Sequence, residues 1–206
     1  MRSFVNAWVC GLLLVSLVGC GKPGPLKTQA EALARFKELG AFVNFDPNDP
    51  NKVVDVNLGF MGSKFTDDDM VYLTGLPDVE LLSLETNFVT DKGIKHLEMF
   101  PKLRVLRLQN TKVSGVGLSY LKGLKQLREL WLFGTEVNGP DLVQLKDMTS
   151  LEHLNLNERP IEDADLVHLR GLVNMQDLNL NRSKVTEAGA AELKKSLPKA
   201  DIWFGQ

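Results

Sequence analysis

The sequence predicts an α/β solenoid, with a curved parallel sheet on the concave side, short helices on the convex side and a helix–strand cap at the N-terminal end. Three observations predict it. A hexapeptide of the form LxxLxL returns every 24 residues from Val79 to Leu180. An apolar pair three residues apart follows each hexapeptide at a fixed distance. A segment that lacks the repeat but carries helix-start and turn signals stands before the array. A repeat of this length means one small supersecondary unit per coil, which buries its apolar side only by stacking on its neighbours.

The chain begins outside that pattern. Met1-Arg2-Ser3 is a short positive start, and Phe4 to Val18 is mostly apolar, broken by Asn6, Gly11 and Ser16. A spanning helix needs about 20 apolar residues, and Gly19-Cys20-Gly21-Lys22-Pro23 ends this run sooner. A secretory leader over residues 1–19 is therefore expected, with a transmembrane anchor as the competing reading. Leu17-Val18-Gly19-Cys20 resembles the bacterial lipobox. The resemblance implies cleavage before Cys20, a diacylglycerol on its sulfur and an acylated amino terminus. The alternative is a leader that merely ends near a cysteine. The chain has two cysteines, Cys10 and Cys20. Everything downstream therefore lacks disulfides, thiolate nucleophiles and cysteine metal ligands.

Residues 20–27 read as the lipidated cysteine and a linker, rich in Gly and Pro. Residues 28–52 read as the cap. Thr28-Gln29-Ala30-Glu31 has the form of a capping box. Ala30, Leu33, Ala34 and Lys37 recur at helical spacing, Phe36 and Leu39 widen the apolar side, and Gly40 fits the stop. Ala41 to Phe45 reads as a short strand and Asp46 to Asn51 as a loop.

Six units follow: 53–78, 79–102, 103–126, 127–150, 151–174 and 175–199, the last with an extra residue near Leu197-Pro198. Positions 4 and 6 of each hexapeptide point the same way along a strand, toward the core. Position 11 is Val89, Val113, Val137, Ile161 and Val185. Position 12 is Thr66, Thr90, Ser114, Asn138, Glu162 and Thr186, mostly good helix N-caps. Asp67, Asp91, Asp163 and Glu187 come next, where negative charge favours a helix start. Positions 16 and 19 are apolar, as in Ile94 and Leu97. Residues 200–206 read as a closing strand in which Trp203 belongs to the cap core.

This pattern resembles the leucine-rich-repeat family over residues 53–199, and with the leader it resembles a bacterial leucine-rich-repeat lipoprotein. The family's turn asparagine appears only as Asn87; Thr111, Thr135, Arg159 and Ser183 stand in its place. A hydrogen-bonded asparagine ladder is therefore not expected. Arg159-Pro160 adds a stiff point in the fifth unit.

Positions 3, 5 and 7 alternate with the core leucines and face the concave side. Most are small or polar, but Trp131 and Phe133 share one strand near the middle of the array. Arg107 and Gln109 are expected on one side of them, and His153, Asn155 and Asn157 on the other. Exposed aromatics beside an arginine are typical of binding hot spots. The competing role is a Trp131–Arg107 cation–π pair that only stiffens the sheet. His153 stands near Glu129 and Asp177, without a serine or cysteine in a recognisable catalytic motif. His96 and His168 are expected on the helix row, facing solvent. Asp67-Asp68-Asp69 lacks the glycine and terminal glutamate of a calcium loop and reads as helix capping.

The net charge of -2, with mixed signs, gives no nucleic-acid footprint. The functional expectation is a non-enzymatic, monomeric binding module for a protein or peptide, without cofactor or metal. It is expected to be exported and held by its lipid at a membrane of the bacterial envelope, facing the periplasm or the surface. The alternative is a structural spacer or tether of envelope layers without a high-affinity ligand.

Overall fold

The computed structural model describes residues 26–205; the leader, Cys20 and the linker up to Pro25 lie outside the described residues. Helix α1 (Gln29–Leu39) starts at the Thr28 capping box, where Glu31 N–H donates to Thr28 Oγ1 (3.2 Å) and Thr28 N–H to Glu31 Oε2 (2.8 Å). It stops at Gly40 in the left-handed conformation. Its buried stripe is Ala32, Phe36 and Leu39, while Ala30, Ala34 and Lys37 are exposed. The stripe is rotated from the expected one because Phe36 anchors the helix against Phe65 of the first coil, ring centroids 6.5 Å apart. The two strands β1 (Phe42–Asp46) and β2 (Asp49–Asn57) form an antiparallel hairpin. The expected 46–51 loop is thus only a two-residue turn, Pro47-Asn48, closed by Asn48 N–H on Asp46 Oδ1 (2.9 Å).

The main sheet continues through β4 (Leu81–Ser83), β6 (Val105–Arg107), β7 (Glu129–Trp131), β8 (His153–Asn155), β9 (Asp177–Asn181) and β10 (Asp201–Gly205). From β2 to β10 all neighbours in this sheet are parallel, and β1 is its antiparallel edge. A two-stranded side sheet joins β3 (Gly62–Thr66) to β5 (Asn87–Phe88). Residues at positions 4 and 6, such as Leu130 and Leu132, form one continuous buried row with position 1 and position 11. The architecture is the expected α/β leucine-rich-repeat solenoid.

The convex side differs in detail from short α-helices. Segments Asp67–Gly75, Gly139–Leu145 and Asp163–Leu169 are 3-10 helices. Helices α2 (Asp91–Ile94) and α3 (Gly115–Ser119) pass into 3-10 turns at Lys95–Met99 and Tyr120–Gly123. The cause is the apolar spacing. Ile94, Leu97 and Phe100, like Leu142, Leu145 and Met148, are buried at i, i+3 and i+6, which three residues per turn align on one face. Helix α4 (Glu187–Ser196) and its C-cap residue bury Ala190, Leu193 and Leu197 at i, i+3 and i+7. That is the α-helical period.

Each coil turns back after its strand through a left-handed residue at position 8: Phe60, Thr86, Asn110, Glu158 and Arg182 with φ between 54° and 63°, and Gly134 at 69°. Asn87, buried, donates to Leu58 O in the coil before (2.7 Å) and to Leu84 O (3.1 Å). Thr111 and Thr135 instead donate within their own coils, to Leu108 O and Leu132 O. Arg159 reaches back a coil, donating from Nη1 to the Thr135 carbonyl.

A different ladder ties the convex side. Asp67 accepts from Thr90 N–H (2.7 Å), Thr90 Oγ1 (2.6 Å) and Gly93 N–H (3.1 Å) of the next coil. Asp91 does the same with Ser114 and Gly117, and Asp163 with the backbone and hydroxyl of Thr186. These acids cap the following coil rather than their own. Asp69 caps its own, at Thr66 N–H, and its other oxygen takes Arg35 Nε at 2.9 Å, fixing the cap to the array.

Candidate ligand-binding face

The strand register sets the open face of the sheet. Position 5 side chains form a transverse row: Arg107, Trp131, Asn155, Asn179 and Trp203, each paired to the next strand. Position 3 forms a second row: Val105, Glu129, His153, Asp177 and Asp201. Gln109, Phe133 and Asn157 were expected within strands; they lie just past them, in the turn toward the left-handed residue. They stay side by side, because Asn110 N–H still donates to the Phe133 carbonyl at 2.9 Å.

A trough of about 370 Å³ opens on this face, lined by Glu129, Trp131, His153, Asn155, Asp177, Asn179 and Trp203, over Leu154. Of the seven residues expected to bind a partner, Trp131, His153 and Asn155 line it. Arg107, Gln109, Phe133 and Asn157 flank it toward the N-terminal coils and the strand exits.

Trp203 is a correction. It is not cap core: 56% of it is exposed, and it stands on the position 5 row as one wall of the trough. Counting the last unit as 25 residues places Trp203 on the core side. The strands in fact pair Asp201 with Asp177, a separation of 24, so the last unit has the same length as the others and the extra residue expected near Leu197-Pro198 does not exist. A one-residue slip exchanges the two faces of a strand. Ile202 consequently packs against the core and Trp203 faces outward. The signal was present, since Trp203 lies three periods of 24 from Trp131.

Polar contacts decide which groups a ligand can use. His153 Nδ1 lies 2.8 Å from Asp177 Oδ2. Asn155 and Asn179 each accept the backbone N–H two residues on through Oδ1, at 3.0 Å. Their oxygens hold the turn, which leaves the Nδ2 groups of these two lining residues as donors. Trp131 Nε1, Gln109 Oε1 and Asn157 Oδ1 are buried without a hydrogen-bond partner among the described residues, so a ligand does not reach them in this conformation. The cation–π pairs among the described residues are Lys27 over Tyr72 and Lys112 over Phe88, so Trp131 is not paired with Arg107. No serine or cysteine lines the trough beside His153.

His96 and His168 lie on the convex side half-buried rather than facing solvent, and burial lowers the pKa of His96 from its ordinary value. Among the described residues, no group of three His, Cys, Asp or Glu side chains is placed to hold a metal ion.

Solved structures of bacterial proteins share this fold. A leucine-rich-repeat protein of Leptospira interrogans superposes with a TM-score of 0.56 at 20% identity, over 72% of this chain and 36% of its own. An internalin of Listeria monocytogenes gives 0.54 at 20% identity, over 85% of this chain and 55% of its own. Internalin C2 of Listeria monocytogenes gives 0.51 at 17% identity, over 84% of this chain and 91% of its own. The chain thus spans about a third and about half of the first two proteins. No family model matches the chain, and no curated protein matches its sequence. The class is therefore defined by fold: a leucine-rich-repeat solenoid, similar to those of bacterial proteins.

Proposed function

We propose that this protein is a non-enzymatic module that captures a protein or peptide on the open face of its sheet, from a membrane to which Cys20 is lipid-anchored. One observation carries the reading. Two tryptophans on one transverse row stand at the two ends of a trough lined between them by Glu129, His153, Asn155, Asp177 and Asn179. Aromatic walls around hydrogen-bonding side chains suit a binding hot spot. A His–Asp pair without an adjacent nucleophile does not make a hydrolytic site. The lipobox-like Leu17-Val18-Gly19-Cys20 supports the anchor and a place in the bacterial envelope.

The test is affinity capture from envelope extract with the full chain and with Trp131→Ala/Phe133→Ala. We expect a defined protein enriched by the parent and lost with the folded variant. A parent that enriches nothing specific would favour the tether instead. The anchor is tested separately: Cys20→Ser should move the protein out of the membrane fraction and remove the acyl mass.

A further inference from the structure

The charges around the trough point to the chemistry of its occupant. Five carboxylates elsewhere find cations one coil away. Asp78 pairs with Lys102, Glu80 with Arg104 (3.6 Å), Glu152 with Arg128 (3.2 Å), Glu158 with Arg182 and Glu162 with Lys184 (2.7 Å). The position 3 row makes no such pair with a lysine or arginine among the described residues. Glu129 and Asp201 have no cationic partner among the described residues, and Asp177 has only His153. Arg107, the cation of the face, stands on the far side of Trp131 and does not line the trough. Glu129 and Asp177 therefore turn a net negative edge to a trough whose two end walls are indoles.

Those walls are three strand spacings apart, about 14 Å. Between them the floor offers the amide donors of Asn155 and Asn179. A long aliphatic stem fits along an indole, a cationic head against an indole face is favourable, and a carboxylate completes the pairing. An acidic segment would meet repulsion. A neutral glycan could stack on tryptophan, but would desolvate the carboxylates without a counter-charge.

We propose that the trough between Trp131 and Trp203 is a subsite for a lysine or arginine side chain from an exposed basic segment of the partner, its cation held by Glu129 and Asp177. The amide donors take carbonyls of the segment's backbone. This rests on the capture reading above and adds the partner's chemistry to it.

The experiment titrates the full chain in detergent with a five-residue capped peptide containing two lysines, read by tryptophan fluorescence and calorimetry. The same peptide with glutamates, and a neutral chitin tetrasaccharide, are the comparisons. The lysine peptide should saturate and the other two should not. Glu129→Gln, which leaves the His153–Asp177 bond in place, should weaken binding by about threefold or more, and Glu129→Gln/Asp177→Asn by about tenfold or more. Glu98→Gln, which removes an exposed carboxylate on the convex side, should weaken nothing. The proposal is overturned by a lysine peptide that fails to saturate, by folded carboxylate variants that bind as the parent does, or by saturation with the glutamate peptide or the tetrasaccharide. A captured protein that needs Trp131 yet ignores the carboxylate variants would also overturn it, while leaving the binding module intact.

Discussion

A methyl group on Gly115 would overlap the carboxylate of Asp141, one coil further along. Gly139 stands in the same relation to Asp165. At the other junctions the roles are exchanged: Gly93, Gly117 and Gly189 lie against Asp67, Asp91 and Asp163 of the coil before. Each of these five junctions thus holds one aspartate facing one glycine. Two side chains there would collide, and two glycines would leave backbone N–H groups without their acceptor. Gly115→Asp should therefore destabilise the protein by about 1–3 kcal/mol. Gly115→Asp combined with Asp141→Gly restores the arrangement of the other junctions. It should be more stable than Gly115→Asp alone, as urea unfolding would show. An additive double variant would refute the pairing.

The last junction should be acid-sensitive. Hydrogen bonds from the Thr186 hydroxyl and backbone hold the Asp163 carboxyl below its ordinary pKa. A carboxyl lowered in the folded state stabilises above its unfolded pKa and loses that contribution as pH falls through the folded value. Amide protection in α4, taken relative to intrinsic exchange at each pH, should therefore fall below about pH 4. In Asp163→Asn the protection should already be reduced at neutral pH and stay flat through that range.

Leu130 is fully buried at the centre of the strand-side row. Leu130→Ala should cost about 2–5 kcal/mol, as loss of a buried side chain leaves a cavity that packed neighbours only partly fill. A thermal melt within a degree of the parent would contradict the continuous core.

Position 8 requires a left-handed backbone, and Gly134 meets it without a side chain at φ 69°. Gly134→Ala should lower stability by about 1–2 kcal/mol, both for the backbone conformation and because the new methyl meets the Asn110 amide. Denaturant midpoints of the two proteins check it; equal midpoints would show that the turn relaxes.

Trp203 should matter to capture as much as Trp131, although three coils separate them. Trp203→Ala should weaken partner binding by about tenfold or more while leaving the core, which Ile202 covers, intact. Surface plasmon resonance with the captured partner measures it, and unchanged binding would move the site toward Arg107 and Gln109.

Much of this was legible in the sequence. The 24-residue period assigns Leu82, Leu84 and their equivalents to the core, and Arg107, Trp131 and Asn155 to the open face, because strand alternation is a local property. The capping box at Thr28 and the stop at Gly40 are local as well. Thr86, Glu158 and Arg182 give no sign of left-handed backbone, since the surrounding coil imposes it on residues that do not favour it.

The sequence by itself determined the repeat, the stacking direction and which side of each strand is apolar, because these follow from residue spacing within one coil. Only the tertiary structure decided that Asp67, Asp91 and Asp163 serve the coil after their own, and that Trp203 joins Trp131 across a trough. Both depend on how one coil is placed on the next. The last strand pairs at the same separation of 24 as the strands before it, and this turns Trp203 to the open face. The pairing of β10 on β9 made that choice, and no pattern confined to one coil records it.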